Sequence, residues 1–240
     1  MQPTTSQSRV PYGRVSFFFF LILLVVTWGF YRTYIIFFPS FEGFKPVQHF
    51  HGAMMITWMA LLIVQPLLIW TGRLSIHRLL GRLSFIIAPL VVLSMFLITK
   101  FSYYKPVPPL SHHEKIGGLA LQAVDIVQFA LFYCLAIVNR RNTYNHMRYM
   151  IGTAVMMIGP GLGRAFIVYY HIPFSTAISY IFYVEIAVCA AFLLSDMLRK
   201  RSFKANAIVL SAIFIHFLLW DFRLYQPWQG IGQFIAAHFF

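Results

Sequence analysis

Long apolar runs recur along the whole chain, and short polar segments separate them. Seven of these runs approach the roughly 20 residues that a helix needs to cross about 30 Å of hydrocarbon. The third run is short unless its helix extends back toward His77. The pattern predicts an all-α, polytopic membrane protein with about seven transmembrane helices, of which helices two to five form a four-helix core. The predicted spans are 16–38, 47–70, 83–99, 117–138, 148–170, 176–198 and 205–220.

The segments between the spans are too short to hold a soluble domain, so we expect one transmembrane domain over residues 16–220. A cytoplasmic tail is predicted at 1–15 and an external tail at 221–240. The external tail contains the aromatic, uncharged stretch QPWQGIGQFIAAHFF, which predicts a segment lying along the outer membrane interface. The first span is too long for a signal peptide and no small-residue cleavage site follows it, so we expect it to be retained.

Composition and charge agree with a membrane protein. The chain is 60% hydrophobic and 10% charged, whereas soluble domains average about 25% charged residues. Its net charge of +13 would suit a nucleic-acid partner, but the basic residues cluster before the first span and in alternate loops. The positive-inside rule predicts that these segments are cytoplasmic, with the N-terminus inside and the C-terminus outside. We expect an integral protein of the bacterial cytoplasmic membrane, in contact with lipid and without a nucleic-acid partner. The clustered residues are Arg9, Arg14, Arg73, Arg78, Arg82, Arg140, Arg141, Arg148, Arg199, Lys200, Arg201 and Lys204.

Helices two to five each begin near a histidine. A single imidazole at a helix end is ordinary, because it meets water and lipid headgroups there. As a set, however, the histidines mark two levels, with helices two and four at the outer side and helices three and five at the inner side. These residues are His49 and His51 on helix two, His77 on helix three, His112 and His113 on helix four, and His146 on helix five.

The two helical hairpins that carry these histidines are similar to each other. Gln65 follows His51 by 14 residues, and Gln128 follows His113 by 15 residues. The similarity predicts a tandem repeat of hairpins related by an axis along the membrane normal. It continues on the return helices, where eight residues separate Gly81 from Pro89 and Gly152 from Pro160.

Such a repeat would place His51 opposite His113 at the outer level and His77 opposite His146 at the inner level. Paired side chains on facing helices are how helix bundles build cofactor sites, and two facing imidazoles are what a six-coordinate haem iron requires. The second nitrogen of each ring would then need an acceptor that fixes its orientation. The pattern predicts two haem sites, one at each level of the membrane.

The openings of these helices resemble those of the cytochrome b561 family of transmembrane electron carriers. The stretch SHHEKIG at 111–117, followed by Gln122, is similar to the family's Ser-x-His-x-x-x-Gly opening of a haem helix. HMRYMIG at His146 and HFHGAMM at His51 are looser matches. The resemblance implies haem b at two bis-histidine sites and an electron donor and acceptor that are small molecules or proteins. Membrane oxidoreductase activity would be consistent with it.

The first two thirds of the chain also resemble a large uncharacterised group of bacterial multi-pass membrane proteins. The shared pieces are GFYRTY, HFHGAMMITW with Gln65, HRLLG and HMRYM, ending at Arg164. This resemblance is closer than the one to cytochrome b561, and it implies membrane topology but no function.

A second hypothesis is a membrane-embedded metalloenzyme. Six of the nine histidines lie toward the predicted outer side, and imidazole suits zinc, iron and copper. No HExxH spacing is present, so the sequence favours no particular metalloenzyme. The candidate outer ligands are His49, His51, His112, His113, His171 and His216.

A third hypothesis, a small transporter or a sensor, depends on charges inside the predicted spans. Asp125, Arg164 and Glu185 lie within helices four, five and six, where charges are costly and usually pair or mark a pathway. They form either a structural ion cluster or a proton or substrate site, and Arg164 would alternatively face haem propionates. The stretch IGPGLGR at 158–164 predicts a break in helix five; such breaks mark binding sites in transporters.

Two further features predict packing rather than chemistry. His51, Trp58 and Gln65 are seven residues apart and therefore share one helix face, which should look into the bundle with Trp58 as a core residue. Cys134 and Cys189 lie within separate spans and predict neither a disulfide framework nor a metal site.

Overall fold

The computed structural model of the protein describes residues 10–105 and 110–240, and the regular structure of those residues is helical. They form nine α-helices and a 3-10 turn at Ile35–Phe37. Seven spans are long and apolar enough to cross a membrane, the fifth being made by α5 and α6 together. This confirms the all-α, polytopic membrane fold. The helices are α1 (Tyr12–Tyr31), α2 (Pro46–Trp70), α3 (Leu74–Tyr104), α4 (His112–Val138), α5 (Thr143–Val155), α6 (Ile158–Tyr170), α7 (Phe174–Leu198), α8 (Lys204–Asp221) and α9 (Trp228–Phe239).

Two of the predicted spans differ clearly from the observed helices. The first helix ends at Tyr31 rather than at residue 38, because the apolar stretch after it forms the 3-10 turn and an exposed loop. The third helix begins at Leu74 rather than at residue 83, so it includes His77 and is 31 residues long. Residues 1–9 of the predicted N-terminal tail lie outside the described residues, and residues 12–15 belong to α1.

Consecutive spans alternate in direction, so the loops at 71–73, 139–142 and 199–203 lie at one end of the bundle. We call this the basic end and the other the opposite end. The opposite end also carries α9, which packs on the first turns of α4. There the Trp228 indole is buried and donates to the Ile116 carbonyl at 3.2 Å.

The start of α4 has a local structural explanation. Ser111 and Glu114 form a capping box, in which the Glu114 amide donates to Ser111 Oγ at 3.2 Å and the Ser111 amide donates to the Glu114 carboxylate at 2.9 Å. This reciprocal pair satisfies amide groups that a helix N-terminus otherwise leaves free. The serine of the SHHEKIG opening therefore caps the N-terminus of α4.

Close packing of small residues positions the fifth span. A Cβ atom on Gly161 would lie 2.7 Å from the Val26 Cα atom, and one on Gly29 would lie 1.9 Å from the Gly161 carbonyl oxygen. Glycine is therefore required where α1 and α6 cross, as is common for closely packed membrane helices. The fifth span is also the most buried of the seven, because α1, α4, α7 and α8 all pack on its two halves.

Trp58 joins helices two, four and five of the predicted core. Its side chain is 1% exposed, packs edge-on against Phe129 with ring centroids 5.1 Å apart, and donates to Thr153 Oγ1 at 3.3 Å. The expected core-packing role of Trp58 is confirmed. The face that it shares with His51 and Gln65 does look into the bundle.

A buried ion pair ties α5, α7 and α8 together at the basic end. The Arg148 guanidinium bonds the Asp196 carboxylate, and Asn206 Nδ2 donates to the second oxygen of that carboxylate at 2.6 Å. Asp196 is fully buried and Arg148 is 7% exposed. The expectation that Arg148 belongs to the charged loop is wrong, because α5 begins at Thr143 and turns this side chain inward.

Replacement of Arg148 by leucine should strongly destabilise the protein. It leaves the Asp196 carboxylate buried without a cation, which costs about 3–5 kcal/mol in soluble proteins. Thermal unfolding in detergent measures the effect. The exposed Arg199, in the loop at the same end, provides the matched control Arg199→Leu, which should unfold near the wild-type temperature. Equal unfolding temperatures for the two variants would contradict the structural role of the pair.

Candidate functional site

Polar side chains meet halfway along three spans, in a region where hydrocarbon would surround the bundle. We call Asp125 and Gln128 of α4, Glu185 of α7 and His216 of α8 the mid-span cluster. Glu185 is 6% exposed, Gln128 5% and His216 2%, while the Asp125 side chain keeps 28% of its surface accessible. Three of the four side chains are therefore buried, and Asp125 is partly accessible.

His216 is held by α4 at both of its ring nitrogens. Its Nε2 atom is 3.0 Å from the Ala120 carbonyl oxygen, and its Nδ1 atom is 3.1 Å from Gln128 Oε1 and 3.9 Å from Asp125 Oδ1. With both nitrogens occupied, His216 has none left for a metal ion. Its expected place among the outer metal ligands is therefore wrong.

Glu185 faces the interruption of the fifth span. Met156 and Met157 form a turn between α5 and α6, directly before the predicted IGPGLGR break. A Cβ atom on Gly159, in the first turn of α6, would lie 3.0 Å from Glu185 Oε1. The carboxylate thus lies against a helix N-terminus, where free amide groups and the helix dipole favour a negative charge.

The two acids of the mid-span cluster lie on helices that both pack on α8. His216 Nδ1 of α8 is 3.9 Å from Asp125 Oδ1 on α4, and its ring lies edge-on to Phe182 on α7, one turn before Glu185, with ring centroids 4.8 Å apart.

His216 Nε2 donates to the Ala120 carbonyl, so Nδ1 of the neutral ring is an acceptor. The Gln128 amide, whose oxygen and nitrogen are interchangeable by a flip, satisfies it by donating from its nitrogen.

Arg164 does not join the two acids. Its Nη1 atom donates to the Pro160 carbonyl at 3.1 Å, and its guanidinium lies 4.0 Å from the centroid of the Phe30 ring. Within residues 10–105 and 110–240, the ion pairs are Arg148–Asp196 and His216–Asp125. The predicted cluster of Asp125, Arg164 and Glu185 is wrong in its arginine, because α6 directs that side chain toward α1 while Glu185 faces the start of the same helix.

The predicted outer pair of histidines is not arranged as a facing pair. His51 Nδ1 lies 3.2 Å from Ser94 Oγ, between α2 and α3. His113 is exposed and its Nε2 atom donates to the Leu224 carbonyl at 2.8 Å, toward the segment before α9. An outer haem needs both imidazoles to point at one iron, and this geometry does not fit it.

The predicted inner pair lies closer to that requirement. His77 and His146 are near enough to interact electrostatically at the basic end. His146 Nδ1 donates to the Ala136 carbonyl at 2.8 Å, which leaves Nε2 free. His77 Nδ1 is buried and has no hydrogen-bond partner within the described part of the chain. His146 therefore has one anchored and one free nitrogen, the arrangement that metal-binding histidines adopt, and haem ligation by His77 and His146 stays a prediction.

The other proposed outer ligands lie apart from one another. His49 contacts the Tyr34 hydroxyl and the rings of Phe41 and Phe44. His112 and His171 are exposed, one at the start of α4 and the other after α6. In the residues that the structure describes, no three His, Cys, Asp or Glu side chains assemble into a group that could hold a metal ion.

Sequence reasoning missed two features of this region. The repeat pairs Gln128 with Gln65, yet Gln128 binds His216, whereas Gln65 lies beside Gly81. The sequence places His216 toward the outer side, although an imidazole inside an apolar span is itself a signal of a buried partner.

Comparison with known proteins finds no matching family model, no similar curated protein and no similar solved structure.

Proposed function

We propose that the protein is a proton-coupled transporter and that the mid-span cluster binds the proton. The observation that carries the proposal is the meeting of two carboxylates and an imidazole, halfway across the membrane, at an interrupted span. Ionisable side chains inside membrane spans are costly and typically mark ion or proton pathways. Interrupted helices are where transporters place their binding sites.

The chemistry of the cluster suits a proton. Asp125 and Glu185 repel each other when both are ionised, and in a medium of low dielectric constant this repulsion is large. A proton bound by either carboxylate removes the repulsion. His216, 3.9 Å from Asp125, is the nearest group that could exchange that proton. The start of α6 stabilises the charge that remains on Glu185.

Solute-dependent proton entry tests this proposal. Proteoliposomes are loaded with a pH-sensitive dye and placed in a medium of lower pH. Small anions, cations and neutral solutes are then added outside in separate experiments. The interior should acidify when the added solute is one that the protein transports. Glu185→Gln and Asp125→Asn should abolish the acidification, because each removes a proton-binding carboxylate. Asp221→Asn, at the exposed end of α8, is the matched control and should retain it. Unchanged acidification in Glu185→Gln would contradict proton coupling at this cluster.

The orientation forms part of the proposal. We infer that the basic end faces the cytoplasm of a bacterial cell, because basic residues near span ends are retained there. Fusions of a reporter enzyme should be cytoplasmic after Arg141 and external after Lys105. The opposite readings would reverse the direction of transport.

A second candidate function, electron transfer, is favoured by the free nitrogens of His77 and His146. Haem b supplies one-electron chemistry when it is bound, and these two residues would hold it at the basic end. Its donor and acceptor would be small molecules or proteins. We expect on this candidate that the purified protein shows a b-type absorption spectrum on reduction. His77→Ala and His146→Ala should each remove that spectrum, because both ligands serve one iron, while the exposed His112→Ala retains it. A colourless wild-type protein would exclude this candidate.

A further inference from the structure

An open groove runs along one face of α8, starting at the first residue of the helix. Its volume is about 630 Å³. The residues that line it recur every three or four positions from Lys204 to Ile215, so they share one side of the helix. The small side chains of Ala207, Ser211 and Ala212 leave the space between these two ends.

The groove matches one leaflet of a bilayer in length and in chemistry. Lys204 and Ile215 are 11 positions apart, which corresponds to about 16 Å along the helix axis. One leaflet contributes about 15 Å of the hydrocarbon core. Apart from Lys204 and Ser211, the lining side chains are apolar. The groove therefore has the length and the surface that suit one lipid acyl chain.

The mouth of the groove is positively charged. Lys204 lines it, and residues 199–201 in the loop before α8 are all basic. Arg199, Lys200 and Lys204 are exposed, while the Arg201 guanidinium lies over the Tyr144 ring. Among the described residues, no side chain caps the N-terminus of α8. The amide groups and the helix dipole at this end therefore add to the positive charge.

The cations at the mouth have no exposed acid beside them in the part of the chain that the structure describes. Of the six acidic residues, Asp196 is the one at the basic end, and it is fully buried and paired with Arg148. An anion is therefore the electrostatic complement of this surface. The other acids lie at mid-span or at the opposite end, and they are Glu42, Glu114, Asp125, Glu185 and Asp221.

We infer that this groove binds an anionic phospholipid from the leaflet at the basic end. One acyl chain lies along Ala207, Ser211 and Ala212, and the phosphate of the head group binds Lys204 and the start of α8. A second copy of the chain is a poorer occupant. Two copies with the same orientation in the membrane would bring Lys204 and its basic loop against their own like charges. The inference is independent of the proposed function.

Native mass spectrometry of the full-length protein in detergent tests the head-group contact, because it counts the lipids that stay bound. Phosphatidylglycerol and phosphatidylcholine with identical acyl chains are titrated separately, and the wild type should bind one phosphatidylglycerol molecule with the lower Kd. Lys204→Gln should raise that Kd about fivefold, the loss expected for one basic residue. Lys204→Arg keeps the charge and should bind as the wild type does. Arg141→Gln, in another basic loop at the same end, is the matched control and should also bind normally.

A second pair of variants tests the groove itself. Ala207→Phe places a large side chain among the lining residues and should weaken the binding of both lipids. Leu218→Phe, at an exposed position of α8 outside the groove, is its control and should bind normally. Thermal unfolding confirms that each variant is folded before its Kd is compared.

Four results would overturn the inference. Equal Kd values for the two lipids would show that the groove does not recognise head-group charge. Equal losses in Arg141→Gln and Lys204→Gln would assign the effect to the net charge of the whole end. Normal binding by folded Ala207→Phe would place the lipid elsewhere. A dimer in the wild-type spectra that dissociates in Ala207→Phe would make a second copy of the chain the occupant.

Discussion

The close approach of α6 to α1 and α7 is the constraint on which the rest of the bundle depends. Gly161 allows the α6 backbone to touch α1 at Val26, and a Cβ atom on Gly163 would lie 2.7 Å from Ile181 of α7. Hydrocarbon offers no hydrogen-bonding partner, so an interrupted span is tolerated where protein surrounds it. This dense packing encloses the interruption, and it also sets where Glu185 and Arg164 lie.

The buried polar residues fall into groups with different physical roles. Arg148 and Asp196 pair with each other, and together with Asn206 they connect three helices, so their role is structural. The mid-span cluster contains two acids, and the positive charge nearest to them is a histidine that is charged only when protonated. Arg164 has the reverse imbalance, with a permanent charge and no acid. Among the described residues, the two depths therefore differ in the sign of the charge that lacks a permanent counter-charge, negative at the mid-span cluster and positive at Arg164.

The amino-acid sequence predicted the elements better than their contacts. Apolar run length determines a span, so the seven spans could be predicted, as could the inward face of Trp58 from its helical spacing. The turn in the fifth span lies at Met156 and Met157, and the IGPGLGR stretch that was expected to break it is helical. The rotation of a helix about its axis depends on how it packs against its neighbours, and no local sequence pattern determines that rotation. For this reason the sequence places Arg148 in a loop, gives Arg164 the wrong partners and places His216 toward the outer side. The predicted third span begins too late, because Arg78 and Arg82 interrupt the apolar run without interrupting the helix backbone.

The turn at Met156 and Met157 divides the fifth span into two helices whose main packing neighbours differ. Below it, α5 packs on α4 and α8; above it, α6 packs on α1 and α7. Backbone contact at Gly29 and Gly161 leaves no room for sliding between α1 and α6. The two halves of the span are not independent, because α7 contacts both of them: its Ile181 packs against Gly163 of α6, and its Asp196 pairs with Arg148 of α5. A rotation at the turn would therefore have to break the Arg148–Asp196 pair or move α7 with it.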